Sequence, residues 1–136
     1  KIGKGIVLRD GTDVCIIACG VLVDKALEAA EKLAGDGIDA GVVDMHTLKP
    51  LDGDLINRMA ASTGCIVSAE DHSIIGGLGG AIAEHLSSNH PIPLERVGVK
   101  DRFGESGQAE EMLDLLGLNT GDIIEAAHMA ISRKSK

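Results

Sequence analysis

Apolar positions along the chain alternate between short unbroken runs and three-to-four spacing, and the changes of period mark out strands and helices. Gly5–Arg9 predicts a short strand, closed by Asp10-Gly11-Thr12. Asp13–Cys19 is a continuous apolar run, as expected of a strand covered on both faces, and Gly20 ends it. A helix follows to about Ala34, with Val23, Ala26, Leu27, Ala30, Leu33 and Ala34 on one face and Asp24, Lys25, Glu28, Glu31 and Lys32 on the other. Gly35-Asp36-Gly37 stops it. Ala40–Met45 is the next strand; Pro50 then holds Lys49 out of helical geometry, and Asp52 caps a short helix carrying Leu55, Ile56, Met59 and Ala60 inward.

Cys65–Ala69 predicts a buried strand that ends at a turn, Glu70-Asp71-His72, followed by a glycine loop and a helix reaching about Ser88. Pro91 and Pro93 mark a loop before a last strand, Leu94–Val99. Ser106 is placed to cap a helix with Met112, Leu113 and Leu116. Thr120 is placed to cap a final one with Ile123, Ile124, Ala127 and Ile131 inward, its end complemented by Arg133, Lys134 and Lys136. Strands alternating with helices imply one α/β domain over residues 1–136, a mostly parallel sheet between helical layers. Ligands and partners of such sheets gather beyond the carboxyl ends of the strands. The loops expected there bring together His46, Lys49, Glu70, Asp71, His72, Arg102, Glu105 and Ser106.

The glycine loop is the sharpest local feature. Gly76, Gly77, Gly79 and Gly80 sit where a strand feeds a helix N-terminus, whose free N–H groups favour anions. A phosphate or nucleotide loop is one reading. The other, favoured because no third glycine falls at the dinucleotide spacing and no P-loop lysine follows, is a tight turn with close helix-to-sheet packing.

Composition removes several classes of function. The only aromatic residue is Phe103, so base stacking has almost nothing to work with, and a formal charge of −8 opposes binding to a polyanion. Nucleic acid is therefore not an expected partner. No apolar run reaches the length of a membrane span and the start does not resemble a signal peptide, so a cytoplasmic protein without a membrane partner is expected. Cys15, Cys19 and Cys65 are an odd count without zinc spacing and read as small buried hydrophobes.

Tests of particular chemistries leave no self-contained active site. His46 and His72 both follow strands, but two histidines with loose carboxylates make a weak metal set, and hydrogen-bonded structural histidines are the better reading. Cys65 lies at the start of its strand and His72 past the end, which opposes a thiol–imidazole pair. Ser106 lacks a nucleophile elbow. Gly35-Asp36-Gly37 has the opening of a thiamin motif, yet it stops a helix on the wrong side of the sheet and Asn57 follows too soon. A free-standing enzyme built on His46, His72 and Arg102 is the weakest of the readings.

Several blocks taken together resemble a known family: DVCIIACG (13–20), KALEAAEKLAGDGIDAGVVDMHTLKPLD (25–52), CIVSAEDHSIIGGLGGAIAE (65–84), RVGVKDRFGESG (96–107) and Leu116-Gly117-Leu118. Their order and spacing are similar to the C-terminal domain of transketolase, especially of versions split into two subunits. The resemblance implies a three-layer α/β/α fold whose five-stranded mixed, mostly parallel sheet has its first strand antiparallel. It implies a complete enzyme that transfers two-carbon ketol groups between sugar phosphates of pentose phosphate metabolism, using thiamin diphosphate and magnesium. Its partners would be pyrophosphate- and pyrimidine-binding domains, in a homodimer or heterotetramer. No catalytic, cofactor or metal residue of the family is carried over, and the chain alone is expected to be inactive. His46, Glu70, Asp71, His72, Gly76, Gly77, Gly79, Arg102 and Ser106 form the candidate interface or ligand edge. The alternatives are the related domain of deoxyxylulose-phosphate synthase or of a 2-oxo-acid dehydrogenase beta subunit, or an independent module binding a small anion or nucleotide.

Overall fold

The computed structural model describes residues 3–47, 50–73, 77–99 and 118–134. Their elements run β1 (Ile6–Arg9), β2 (Val14–Ala18), α1 (Leu22–Gly35), β3 (Ala40–Asp44), α2 (Gly53–Thr63), β4 (Ile66–Ser73), α3 (Leu78–Asn89), β5 (Leu94–Val99) and α4 (Thr120–Ser132). The five strands form one sheet in the order β1-β3-β2-β4-β5. β1 pairs antiparallel with β3, Ile6 opposite Asp44, and every other pairing is parallel. The expected mixed sheet is thus present, with its first strand reversed.

Two apolar layers cover the sheet. On one face α1 and α4 pack on Val14, Ile16, Val42, Val67 and Ala69. On the other, Leu55, Ile56 and Met59 of α2 and Leu78, Ile82 and Leu86 of α3 meet Cys15, Ile17, Val43 and Ile66. Alternating residues of β2 serve opposite faces, and all five are fully buried. That explains why the run is apolar throughout. Without aromatic residues among them, the layers are closed by branched aliphatics, alanine and two buried methionines, Met45 and Met59. Full burial of each larger aliphatic side chain contributes about 1.5–3 kcal/mol.

Local signals account for most boundaries. The Asp52 side chain accepts from the Leu55 N–H at 3.2 Å, capping α2 as expected, and also from the Gly5 N–H at 2.9 Å, tying the approach to β1 to that helix. Gly64 ends α2 with φ of 78°, a left-handed position that glycine adopts without strain.

Three expectations need correction. α4 is capped by Asn119 rather than Thr120. Asn119 and Asp122 make a reciprocal capping box, and Thr120 is the first helical residue. The inward face of α1 is rotated: Leu22 and Ala29 are buried and Ala34 is exposed, because the helix must present its stripe across several twisted strands. β4 does not turn at Glu70-Asp71-His72 but continues through them to Ser73. The expected helix beginning at Ser106 lies outside the described residues.

Candidate functional site

The carboxyl ends of the parallel strands form the edge where a ligand was expected. β3 ends there at Asp44, β2 leads there into Cys19 and Gly20, and β4 arrives with Glu70, Asp71 and His72. α3 starts from the same edge, with Gly77 in extended geometry before Leu78.

Glu70 decides the chemistry of this edge. Its side chain is fully buried, and its two oxygens accept from the first backbone N–H groups of α3: Leu78 N at 2.7 Å and Gly79 N at 2.6 Å. A helix start offers unsatisfied donors and the positive end of a dipole, and a carboxylate answers both. The anion that suits this helix end is therefore supplied by the chain itself. A phosphate would have to displace a buried, doubly bonded carboxylate from those two donors. This also removes Glu70 from any exposed interface edge, because a side chain with no accessible surface cannot meet a partner.

The glycines next to it serve packing. A Cβ on Gly79 would lie 2.8 Å from the Ser68 Oγ of β4 and 2.8 Å from the Arg96 Cδ of β5, so the helix approaches the sheet only because that atom is missing. Gly77 has φ of −96°, so left-handed freedom is not what the position needs. Of the remaining candidates, His46 is exposed in the loop after β3. Asp71 is exposed on β4, with its carboxylate facing Gly20. His72 belongs to β4. Gly76, Lys49, Arg102, Glu105 and Ser106 lie outside the described residues.

The thiols at the two ends of the strands are held protonated. Burial pushes Cys19 up to about 11, and the nearby carboxylates of Glu70, Asp71 and Asp44 push in the same direction. Cys65 is also pushed up to about 11, by burial first; the Lys134 ammonium opposes this and Asp13 adds to it. The Cys65 Sγ sits 3.3 Å from the Asp13 carbonyl, to which it donates. Burial raises Cys15 well above the ordinary thiol range, and Cys65 adds to the effect. In none of the three does a neighbouring cation outweigh burial, as it would at a nucleophilic cysteine.

Sequence reasoning missed two residues that organise the ends of the sheet. One is Glu70 as a helix cap, which a carboxylate eight positions before the first donor only hints at. The other is Lys134, whose Nζ donates to the carbonyls of Asp13 and Thr63, both at 2.8 Å, at the amino ends of β2 and β4. The sequence itself predicts only a general complement to the α4 dipole.

The described residues do not fit thiamin diphosphate or its metal. Gly35-Asp36-Gly37 closes α1 before the amino end of β3, and the donors of α3 are occupied by Glu70. Among the described residues, no three His, Cys, Asp or Glu side chains are grouped to hold a metal ion. No helix among them is long and apolar enough to cross a membrane.

Comparison with known proteins identifies the family of this fold. The family model described as the transketolase C-terminal domain matches residues 3–123. The 6-deoxy-6-sulfo-D-fructose transketolase subunit SqwH of Clostridium sp. strain MSTE9 is 49% identical over 134 residues, which is 98% of this chain and 42% of that protein. A 1-deoxy-D-xylulose-5-phosphate synthase of Chlorobium luteolum is 43% identical over 124 residues, 90% of this chain and 20% of that one. The chain thus spans less than half the length of either relative. A solved structure described as a split gene transketolase, "inactive beta4 tetramer", superposes with a TM-score of 0.94 at 49% identity, covering 98% of this chain and 44% of its own. The sheet order, the reversed first strand and these matches together show that the chain belongs to the transketolase C-terminal domain family.

Proposed function

We propose that residues 1–136 act as the assembly domain of a thiamin-diphosphate- and magnesium-dependent transketolase, a cytoplasmic transferase that moves two-carbon ketol groups between sugar phosphates. The pyrophosphate- and pyrimidine-binding segments are carried elsewhere in the same enzyme, which works as a homodimer or heterotetramer. The observation that carries this reading is the 49% identity to the split transketolase over 98% of the chain, joined to a fold that closes its own anion site with Glu70. In this reading the exposed part of the carboxyl edge, His46 and Asp71, faces the cofactor-bearing segments and orients them.

The pentose phosphate substrates belong to this proposal. The name of the SqwH relative speaks for a sulfo-sugar instead, so both donors are assayed. A deoxyxylulose-phosphate synthase is the second reading, supported by the 43% identity over 90% of the chain. The chain is purified and supplied with thiamin diphosphate, magnesium and each donor–acceptor pair, alone and with the separately expressed thiamin-binding part. Turnover only in the mixture is expected, and the productive pair separates the two readings. Turnover by the chain alone would overturn the assembly role.

A further inference from the structure

The two edges of the sheet are finished differently. At β5 the Arg133 guanidinium donates to the Leu94 carbonyl at 3.3 Å and pairs with Glu95, so a charged side chain covers that edge. Edge strands that must stay single are commonly protected in this way. β1, the other edge, ends in Arg9 and shifts register between Val7 and Arg9, yet it leaves apolar surface open: Ile6 is 49% and Leu8 42% exposed, on the same side of the strand. Val21, at the entrance to α1, is 57% exposed.

Beside Leu8 runs an open groove of about 540 Å³ between β1 and α1, with Leu8 and Leu27 as its apolar floor. Asp24, Glu28 and Glu31, spaced along one stripe of α1, make an acidic wall, and Arg9 stands on the strand side. The three carboxylate residues are exposed; Glu28 meets Lys32 at 3.6 Å in a pair open to solvent, which is worth little. An apolar floor with a wall of one sign fits an occupant with an apolar ridge and basic flanks.

We propose that the β1–α1 groove is a docking site for an apolar segment flanked by Lys or Arg, belonging to the thiamin-binding part of the same enzyme. This rests on the proposed assembly role. Asp24, in the first turn of α1 where the helix leaves the carboxyl end of β2, lines one end of the groove, so the groove opens toward the edge proposed above for those segments. A second copy of the chain suits the groove less well, because it brings the same acidic wall and the same net charge of −8.

The test mixes the full chain with the separately expressed thiamin-binding part and follows association by analytical ultracentrifugation across a salt series. The variants are Leu8→Asp, and E28K combined with E31K; both alter exposed positions, and circular dichroism melts check that each stays folded. Leu8→Asp is expected to weaken association about tenfold or more, and the charge pair about threefold or more, with a flatter salt dependence. Association of the wild-type chain that neither variant weakens would overturn the groove and leave the assembly role standing. Self-association lost in Leu8→Asp, with binding to the thiamin-binding part unchanged, would assign the groove to a second copy and overturn this occupant. No association of the wild-type chain with that part would overturn both readings together.

Discussion

Glu70 and Lys134 solve the same problem at opposite ends of the sheet. At the carboxyl end a carboxylate accepts from two amide groups that α3 leaves unpaired; at the amino end an ammonium donates to the carbonyls of Asp13, just before β2, and Thr63, the last residue of α2. The difference is water. Glu70 is fully buried, whereas Lys134 is only partly so. A solvent molecule can replace the lysine but cannot easily reach the glutamate's donors. The energy carried by a charged clamp therefore depends less on its own bonds than on whether its partners have an alternative.

The largest expected effect breaks the buried half of that comparison. Glu70→Ala strands two amides in the interior and should cost about 3–5 kcal/mol in urea unfolding, while Glu70→Gln, which keeps one acceptor, should cost roughly half as much. A Glu70→Ala loss below 1 kcal/mol would show that water enters this site.

Next in size is Gly79→Val, which puts a side chain where Ser68 and Arg96 already lie. A loss of about 1–3 kcal/mol is expected, and thermal melts should show the same deficit with and without added phosphate. A phosphate-dependent gain present only in the wild-type chain would revive the anion loop.

Lys134→Met tests the wetter clamp and should cost only about 1 kcal/mol by the same unfolding assay. A cost equal to that of Glu70→Ala would erase the contrast.

The smallest effect is a pH dependence. Cys19 and Cys65 hold their protons more tightly folded, at about 11, than at their ordinary 9.0. Their contribution is therefore complete below about pH 9 and is lost as pH rises through 11. Cys19 is partly exposed, so its share is discounted, and the difference between the wild-type chain and a C19A variant should shift by about 1 kcal/mol across that window in urea midpoints.

Much of this architecture was legible in the residue pattern. The unbroken apolar run of β2 announced a strand covered on both sides, and Leu94–Val99 and Asp52 were placed where the structure has them. The resemblance supplied the reversed first strand. The pattern failed where a side chain reaches out of its own segment. Glu70-Asp71-His72 looked like a turn because three polar residues normally end a buried strand; here the strand continues, since the first of them turns inward to a helix that begins eight residues later. Asn119 and Asp122 carried a readable capping box, but Thr120 beside them is also a good cap, and composition alone does not choose the register. The sequence marks the exposed Ile6 and Leu8 only as part of a strand, since it does not say which strand is an edge.

The position of α4 has a consequence for how the protein is made. Ile123, Ala127 and Ala130 complete the layer over β2 and β4, and the Lys134 clamp closes on a carbonyl 121 positions earlier. On the ribosome every strand of the sheet emerges before α4. The half-made product therefore shows the cell the part of this aliphatic face that α1 leaves uncovered until α4 arrives, which makes that part the natural target of chaperones and the point at which a slowed or truncated translation product would aggregate.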